Sequence, residues 1–369
     1  MPPASEPLRI VQVGAGQMGR AWLRVLSDSP DTVLVGLVDL DPTLAAQATA
    51  DAGHPDATVG ASLAEVLGTV DADAVLNVTV PTAHRSVSAT ALQAGLPVLC
   101  EKPLAETVSV ALATVAEAEL ADRLLMVSQS RRYFRHLQTF RAQIARLGRI
   151  GALACTFYKG PHFGGFRDEM AYPLLVDMAI HQLDLSRLLV GADPVAVYCE
   201  SFNPSWSWYA GDAAAEVVVE FADGTRFCFS GSWCSPGLET SWNGAWRVSA
   251  AGGTALWDGD HAPRAEDADG QPVDAEPGEG PEEIAGSLAE FVRAVRGGER
   301  SPSGEAHSNV LSLAMVEAAT RSAAERRRVT IAEILADGFE QALRDETDPD
   351  LLAALRAWPS VHEVVGERA

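Results

Sequence analysis

Over the first 127 residues, short β-rich apolar runs alternate with longer Ala- and Leu-rich stretches. The runs at 8–13, 33–39, 74–79, 97–101 and 124–128 read as strands, and the stretches at 17–27, 43–52, 83–94 and 108–121 read as helices. The strands are almost continuously apolar rather than alternating, as expected of a parallel sheet covered on both faces. Right-handed crossovers then make that sheet doubly wound, an α/β fold. Past residue 150 the pattern changes. A strong helix is predicted over 173–189, then strands at 216–221 and 226–231 joined through Ala222-Asp223-Gly224-Thr225, a hairpin signal. Further strands at 152–158, 196–201, 245–250 and 254–257 give an α+β domain with an open, largely antiparallel sheet. Residues 258–283, rich in Asp, Glu, Gly and Pro, read as solvated loops with one weak hairpin. Helices at 282–295 and 305–325 follow, and 331–369 reads as an acidic helical extension punctuated by Pro349 and Pro359. The expected domains are therefore 1–127, 128–330 and 331–369.

A length of 369 residues suits two domains with an appendage. Hydrophobic residues at 47% against 21% charged exclude a chain disordered throughout. The formal net charge of −22 argues against nucleic acid, because no overall basic surface draws in phosphates. Five scattered cysteines, none in CxxC spacing, suit a reducing compartment and give no support to a zinc knuckle. The N-terminus lacks a basic start followed by an apolar run, and no apolar stretch of about 18 residues occurs. A cytoplasmic protein without a membrane span is expected.

Gly14-Ala-Gly16-Gln17-Met18-Gly19 follows the first strand directly and opens a helix. The glycines would serve a tight turn, close approach of a pyrophosphate, and close helix–strand packing. The helix N-terminus would receive the diphosphate. Asp39 ends the second strand 20 residues beyond Gly19, the position of an acid that accepts ribose hydroxyls. It also fits the solvated end of a strand or the N-cap of the next helix. A carboxylate there repels a 2′-phosphate and Leu40 supplies no cation, so NAD is favoured over NADP.

Glu101-Lys102-Pro103 closes the fourth strand, and ligands of open parallel sheets bind at such carboxyl ends. Lys102 alone fits a surface residue equally well. In the helix after Pro173, Asp177, His181 and Asp184 fall within an arc of about 60° if the helix is regular. Leu, Val, Met and Ile fill most of the remaining circumference, so these groups must be paired or face a cavity. The stripe also fits a buried Asp–His packing pair or half of a metal site. No accompanying ligand motif is evident, and no metal is expected.

Together the glycine turn, Asp39, the run from Pro81-Thr-Ala-His84 to Glu101-Lys102-Pro103, and Asp177-x₃-His181-x₂-Asp184 resemble the glucose–fructose oxidoreductase/inositol dehydrogenase (Gfo/Idh/MocA) family. The resemblance covers about residues 7 to 330. It implies a Rossmann domain followed by an open-faced α+β domain, with Lys102, Asp177 and His181 as the catalytic set and a sugar, cyclitol or related polyol as substrate. Gly14, Gly16, Gln17, Met18, Gly19, Asp39, Thr79, Pro81, His84, Glu101 and Lys102 are the expected cofactor contacts. Met170-Ala171-Tyr172-Pro173 stands where the family usually has glycines, and the tail from Ile331 has no obvious counterpart.

Candidate substrate contacts are Arg131, Tyr133, Lys159, His162 and Asp184, with Arg132 and Arg135 beside them. A solvated basic loop is the competing reading. Trp206, Trp208 and Tyr209 suit a sugar-stacking platform or a subunit contact. Two other functions compete with alcohol oxidation: a glycosidase that retains NAD and acts by transient oxidation, and a nucleotide-sensing regulator without turnover. The exposed face of the open sheet leads to an expected homodimer or homotetramer.

Overall fold

The computed structural model describes residues 6–299 and 302–366. By their contacts they fall into two units. The first joins the chain up to Ser130 with Pro281–Val310 and Asp337–Val365, and the second joins Arg131–Gly280 with Leu311–Ala336.

The first unit is built on six parallel strands: β1 (Leu8–Val13), β2 (Thr32–Val38), β3 (Thr58–Gly60), β4 (Ala74–Asn77), β5 (Val98–Glu101) and β6 (Leu125–Ser128). Their order is β3-β2-β1-β4-β5-β6, with the helices α1 (Gln17–Asp28), α2 (Pro42–Asp51), α3 (Leu63–Leu67), α4 (Pro81–Gln93) and α5 (Val108–Ala121) between them. This is the doubly wound sheet expected from the apolar runs. Its topological switch lies between β1 and β4, so the loops after β1, β4 and β5 share one edge. The short β3 and α3 had no sequence signal strong enough to announce them.

The second unit opens with α6 (Arg135–Leu147), a helix not expected from the sequence. Leu137, Phe140, Ile144 and Leu147 are its buried stripe, set among arginines. Strand β7 (Ile150–Tyr158) follows. The helix expected at 173–189 is not one regular α-helix: a π-helical turn, Leu174–Ala179, precedes α7 (Ile180–Val190). The strands β8 (Pro194–Phe202), β9 (Ala214–Phe221), β10 (Arg226–Ser232), β11 (Ala245–Ala250), β12 (Gly253–Trp257) and β13 (Arg264–Asp267) complete most of the sheet. Every pairing in it is antiparallel except β10 with β7. The β9–β10 hairpin turns at Asp223-Gly224, where Gly224 has φ 92° and Asp223 Oδ1 accepts from the Thr225 amide at 2.9 Å.

Helices α8 (Glu283–Gly297) and α9 (Ala306–Glu325), the edge strand β14 (Val329–Thr330), and α10 (Ile331–Asp345), α11 (Pro349–Ala357) and α12 (Val361–Val365) end the described chain. Part of the extension is packed into a core. Leu351 and Leu355 of α11 and Ala342 of α10 share a buried cluster with Ala116 of α5, and Phe339, Leu343 and Trp358 pack against it. Truncating a leucine buried this way costs about 2–5 kcal/mol.

Polar clamps complete the attachment. Arg85 of α4 pairs with Glu117 at 2.8 Å and with Glu346. Glu119 at the end of α5 accepts from the Trp358 indole at 2.7 Å through one oxygen, and its other oxygen lies 2.8 Å from Nε2 of His307. The second ring nitrogen of His307 meets Glu305. Burial opposes the charged imidazole, but the two carboxylates outweigh it and raise its pKa to about 9. The folded value lies above the ordinary value of about 6.5, so the contribution of this clamp is complete below about pH 6.5 and is lost as the pH rises through 9. The urea midpoint of the wild type should therefore exceed that of His307→Gln at neutral pH, with the gap closing between about pH 7 and 10. A gap that does not vary with pH would contradict this.

Candidate active site

The loop after β1 is shaped by glycine sterics and by one buried amide. Gly14 has φ 105°, which L side chains rarely adopt, and a Cβ on it would lie 2.4 Å from the Val78 carbonyl oxygen. Gln12, a polar residue inside an apolar strand, donates through Nε2 to the carbonyls of Gly14 at 2.8 Å and Gly19 at 2.9 Å. Gly16, Gln17 and Met18 are exposed at the mouth of the turn, while Gly14 and Gly19 are buried. Asp39 follows β2 and reaches back to this turn. Its Oδ2 accepts from the Ala15 amide at 2.8 Å and its Oδ1 from the Asp41 amide at 3.0 Å. Asp41, not Asp39, is the N-cap of α2, accepting from Thr43 and Leu44.

After β4, Asn77 is buried and accepts from the Thr79 hydroxyl at 2.7 Å while donating to the His84 carbonyl at 2.9 Å. Pro81 takes the first position of α4. His84, a candidate nucleotide contact, is held within the fold. Its ring is buried, with Nδ1 2.7 Å from the Pro103 carbonyl and Nε2 3.1 Å from the Thr79 carbonyl. It therefore ties the loop after β4 to the loop after β5. Burial, with Lys102 adding to it, lowers its pKa and keeps the ring neutral. Glu101 is held likewise: its buried carboxylate accepts from the Trp22 indole at 2.7 Å and from the Lys102 amide at 3.1 Å. Burial raises its pKa, and its work is to fix α1 and the backbone of Lys102. The Lys102 side chain is half-buried at the end of that strand.

In the second unit, the π turn carries Asp177, and α7 carries His181 and Asp184 one turn further on. A π turn departs from 100° per residue, so the stripe drawn for a regular helix does not hold across it. Asp184, a candidate substrate contact, lies inside the fold. At 1% exposure it accepts from Arg132 at 2.7 and 2.6 Å and from the Ser312 hydroxyl at 2.6 Å. Arg187, equally buried, donates to that hydroxyl at 3.0 Å. Gln182 and Ser186 are buried too, so α7 is enclosed on nearly all sides. Asp177 keeps a partly open carboxylate, which Arg167 meets at 2.7 Å. Arg167 sits in the glycine-bearing loop and was not anticipated; its only sequence signal is a cation among glycines and aromatics.

The remaining substrate candidates are dispersed. Arg131 donates to Asn243, whose Nδ2 in turn donates to the Gly259 carbonyl at 2.7 Å. Tyr133 ends a short 3-10 turn, Ser130–Tyr133, and is half-buried. Lys159, 8% exposed, pairs with Glu239 at 2.8 Å, and that contact lowers the pKa of Glu239. His162 is exposed and stacks on Trp208 with centroids 3.7 Å apart. Among the described residues no group of three or more His, Cys, Asp or Glu is placed to hold a metal ion, and no helix is long and apolar enough to cross a membrane.

Comparison with known proteins agrees with this architecture. Residues 8–129 match the model of an oxidoreductase family with an NAD-binding Rossmann fold (GFO_IDH_MocA), and residues 138–256 match the GFO/IDH/MocA C-terminal domain. An inositol 2-dehydrogenase from Rhizobium meliloti (strain 1021) is 28% identical over 88% of this chain and 99% of its own. Among solved structures, an oxidoreductase from Agrobacterium radiobacter in complex with NAD+, L-tartaric acid and magnesium superposes with a TM-score of 0.81 at 22% identity, over 89% of this chain and 99% of the other. A levoglucosan dehydrogenase in complex with NADH and levoglucosan superposes with a TM-score of 0.77 at 19% identity, over 88% and 100%.

Two glycines of the turn should separate stability from nucleotide binding. A Cβ at Gly19 would lie 2.2 Å from the Gly14 carbonyl oxygen, whereas one at Gly16 meets nothing within 4 Å. Gly19→Ala should cost about 1–3 kcal/mol in urea unfolding. Gly16→Ala should cost about 1 kcal/mol or less yet weaken NAD at least about tenfold by fluorescence titration, because its methyl group occupies the open mouth. The opposite ranking of the two variants would contradict this account of the turn.

Proposed function

The chain belongs to the Gfo/Idh/MocA oxidoreductase family, and from that premise we propose that it transfers hydride between NAD and a secondary alcohol of a sugar, cyclitol or related polyol. The observation that carries this reading is the state of the polar groups around α7. Asp184, Ser186 and Arg187 are buried within the fold, while Asp177, beside His181 in sequence, keeps a partly open carboxylate. Inositol and levoglucosan, named for two of the relatives, are polyhydroxylated rings of the proposed class.

NAD supplies the hydride acceptor when bound. The turn from Gly14 to Gly19 and the first amides of α1 would hold its diphosphate. Asp39, steadied by the Ala15 and Asp41 amides, would take the ribose hydroxyls of the adenosine half. The same carboxylate disfavours a 2′-phosphate, and the exposed Leu40 next to it offers no compensating cation, so NAD is preferred over NADP. His181 acts as the general base, taking the proton of the hydroxyl whose carbon gives up hydride. Lys102 donates to the reacting oxygen and stabilises the negative charge that develops there. Asp177, charge-compensated by Arg167, orients His181 or binds a neighbouring hydroxyl.

The assembly proposed is a homodimer or homotetramer, its mass readable by light scattering. Tyr198, Val218 and Cys228 stand opposite one another on β8, β9 and β10 and are all exposed. A second copy packed on that face would remove them from water.

Initial rates of NADH formation across a panel of sugars, cyclitols and glycosides test the reaction. On the substrate so found, Lys102→Ala and His181→Ala should each lower kcat by about 10²–10⁴. Asp39→Ala should weaken NAD more than NADP. Retention of full activity by both Lys102→Ala and His181→Ala would refute the assignment.

A further inference from the structure

An aromatic shelf beside Asp177 is left unused by the reading above. Phe157 and Trp233, both buried, form its floor with ring centroids 5.7 Å apart. Phe163, 52% exposed, and Trp242, 40% exposed, stand on that floor. Each lies close to Trp233, at 6.3 and 6.0 Å, and they lie 6.3 Å from one another with planes 30° apart. Cations border the shelf. Lys159 Nζ lies 4.9 Å from the Trp242 centroid and pairs with Glu239 at 2.8 Å. The Arg167 guanidinium lies 5.5 Å from the Phe163 centroid and 4.8 Å from that of Phe166, and pairs with Asp177 at 2.7 Å.

Large aromatic faces left in water beside one another are costly unless something covers them. We infer that this shelf is a subsite for a second, neutral polyhydroxylated ring, so that the preferred substrate is a glycoside or disaccharide-sized molecule rather than a single ring. The inference rests on the alcohol-oxidation reading and names the substrate class of the same site. A sugar ring presents an apolar C–H face and a rim of hydroxyls. The shelf offers aromatic faces for the former and the Lys159–Glu239 pair for the latter.

Charge narrows the class. One cation stands near each exposed ring, which disfavours a protonated amino sugar on the surface left open, and each cation has its own carboxylate, which removes the attraction for an anion. Position does the rest. Arg167 stands between Asp177 and Phe163, so a ring on the shelf is one side chain removed from the carboxylate. A single ring reacting at Asp177 and His181 would leave Phe163 and Trp242 in water.

The test compares matched one-ring and two-ring substrates: glucose against maltose and cellobiose, and inositol against a galactosyl-inositol. NADH formation gives the rates, and tryptophan fluorescence of the full chain reports binding without turnover. The two-ring members should have kcat/KM about tenfold higher, expressed in KM, and should quench the fluorescence at lower concentration. Phe163→Ser, at an exposed position that folding tolerates, should lower the two-ring to one-ring ratio about tenfold, and Trp242→Leu should do the same. Equal rates for the two classes, or a ratio that neither variant moves, would overturn the inference while leaving alcohol oxidation standing. NADH from no member of the panel would overturn alcohol oxidation and the inference with it. A fall in mass by light scattering on Phe163→Ser, with the ratio unmoved, would make the shelf a contact between copies of the chain and overturn the inference.

Discussion

A carboxylate buried in the middle of α7 is the constraint around which the second unit is organised. Asp184 is tolerated there because two guanidinium bonds from Arg132 and one hydroxyl bond from Ser312 replace its water. Removing one partner of such a pair costs about 3–5 kcal/mol, because the other charge stays buried and uncompensated. The network joins the turn that enters the unit, α7, and α9 through residues far apart in sequence. It thereby fixes the rotation of the helix that carries His181 and the turn that carries Asp177. The polar groups of this segment thus differ in exposure: Asp184 is buried with its partners, and Asp177 keeps a partly open carboxylate.

The first unit solves a similar problem at the carboxyl edge of its sheet. Gln12, Asn77, His84 and Glu101 are all buried, and each spends hydrogen bonds on the loops and helices that follow the strands. Buried polar groups of this kind are expensive unless satisfied, so each one specifies the backbone it binds. Gln12 sets the glycine turn. His84 and Glu101 set the loop from which Lys102 projects. The C-terminal helices add a second layer behind α4 and α5, clamped by Arg85 and by the His307 cluster. The C-terminal helices therefore support the unit that bears the nucleotide signature.

What the sequence disclosed and what it hid divide along the range of the interactions. The parallel strands, the glycine turn and the Asp-Gly hairpin were legible because their cause is local: unbroken apolar runs, positive φ, close backbone approach. Asp184 read as a possible substrate contact because its partners lie 52 and 128 residues away. His84 and Glu101 fall in a segment that follows the family's run closely, which marked them as functional without saying how. The α6 helix was hidden by its arginines, although Leu137, Phe140 and Ile144 carried the period. The π turn has no local signal comparable to a glycine or a proline. Phe163 lies about 70 residues before Trp233 and Trp242, which share the β10–β11 connection, and only the fold brings the three together.

In the proposed reaction, one ammonium group and one imidazole, 79 residues apart in sequence, serve a single alcohol. A crystal structure of the protein with NAD and an oxidisable polyol measures this directly. Lys102 Nζ and a ring nitrogen of His181 should both lie within about 3.5 Å of the same substrate oxygen, with its carbon facing C4 of the nicotinamide. A bound ring with either group turned away from that oxygen would contradict it.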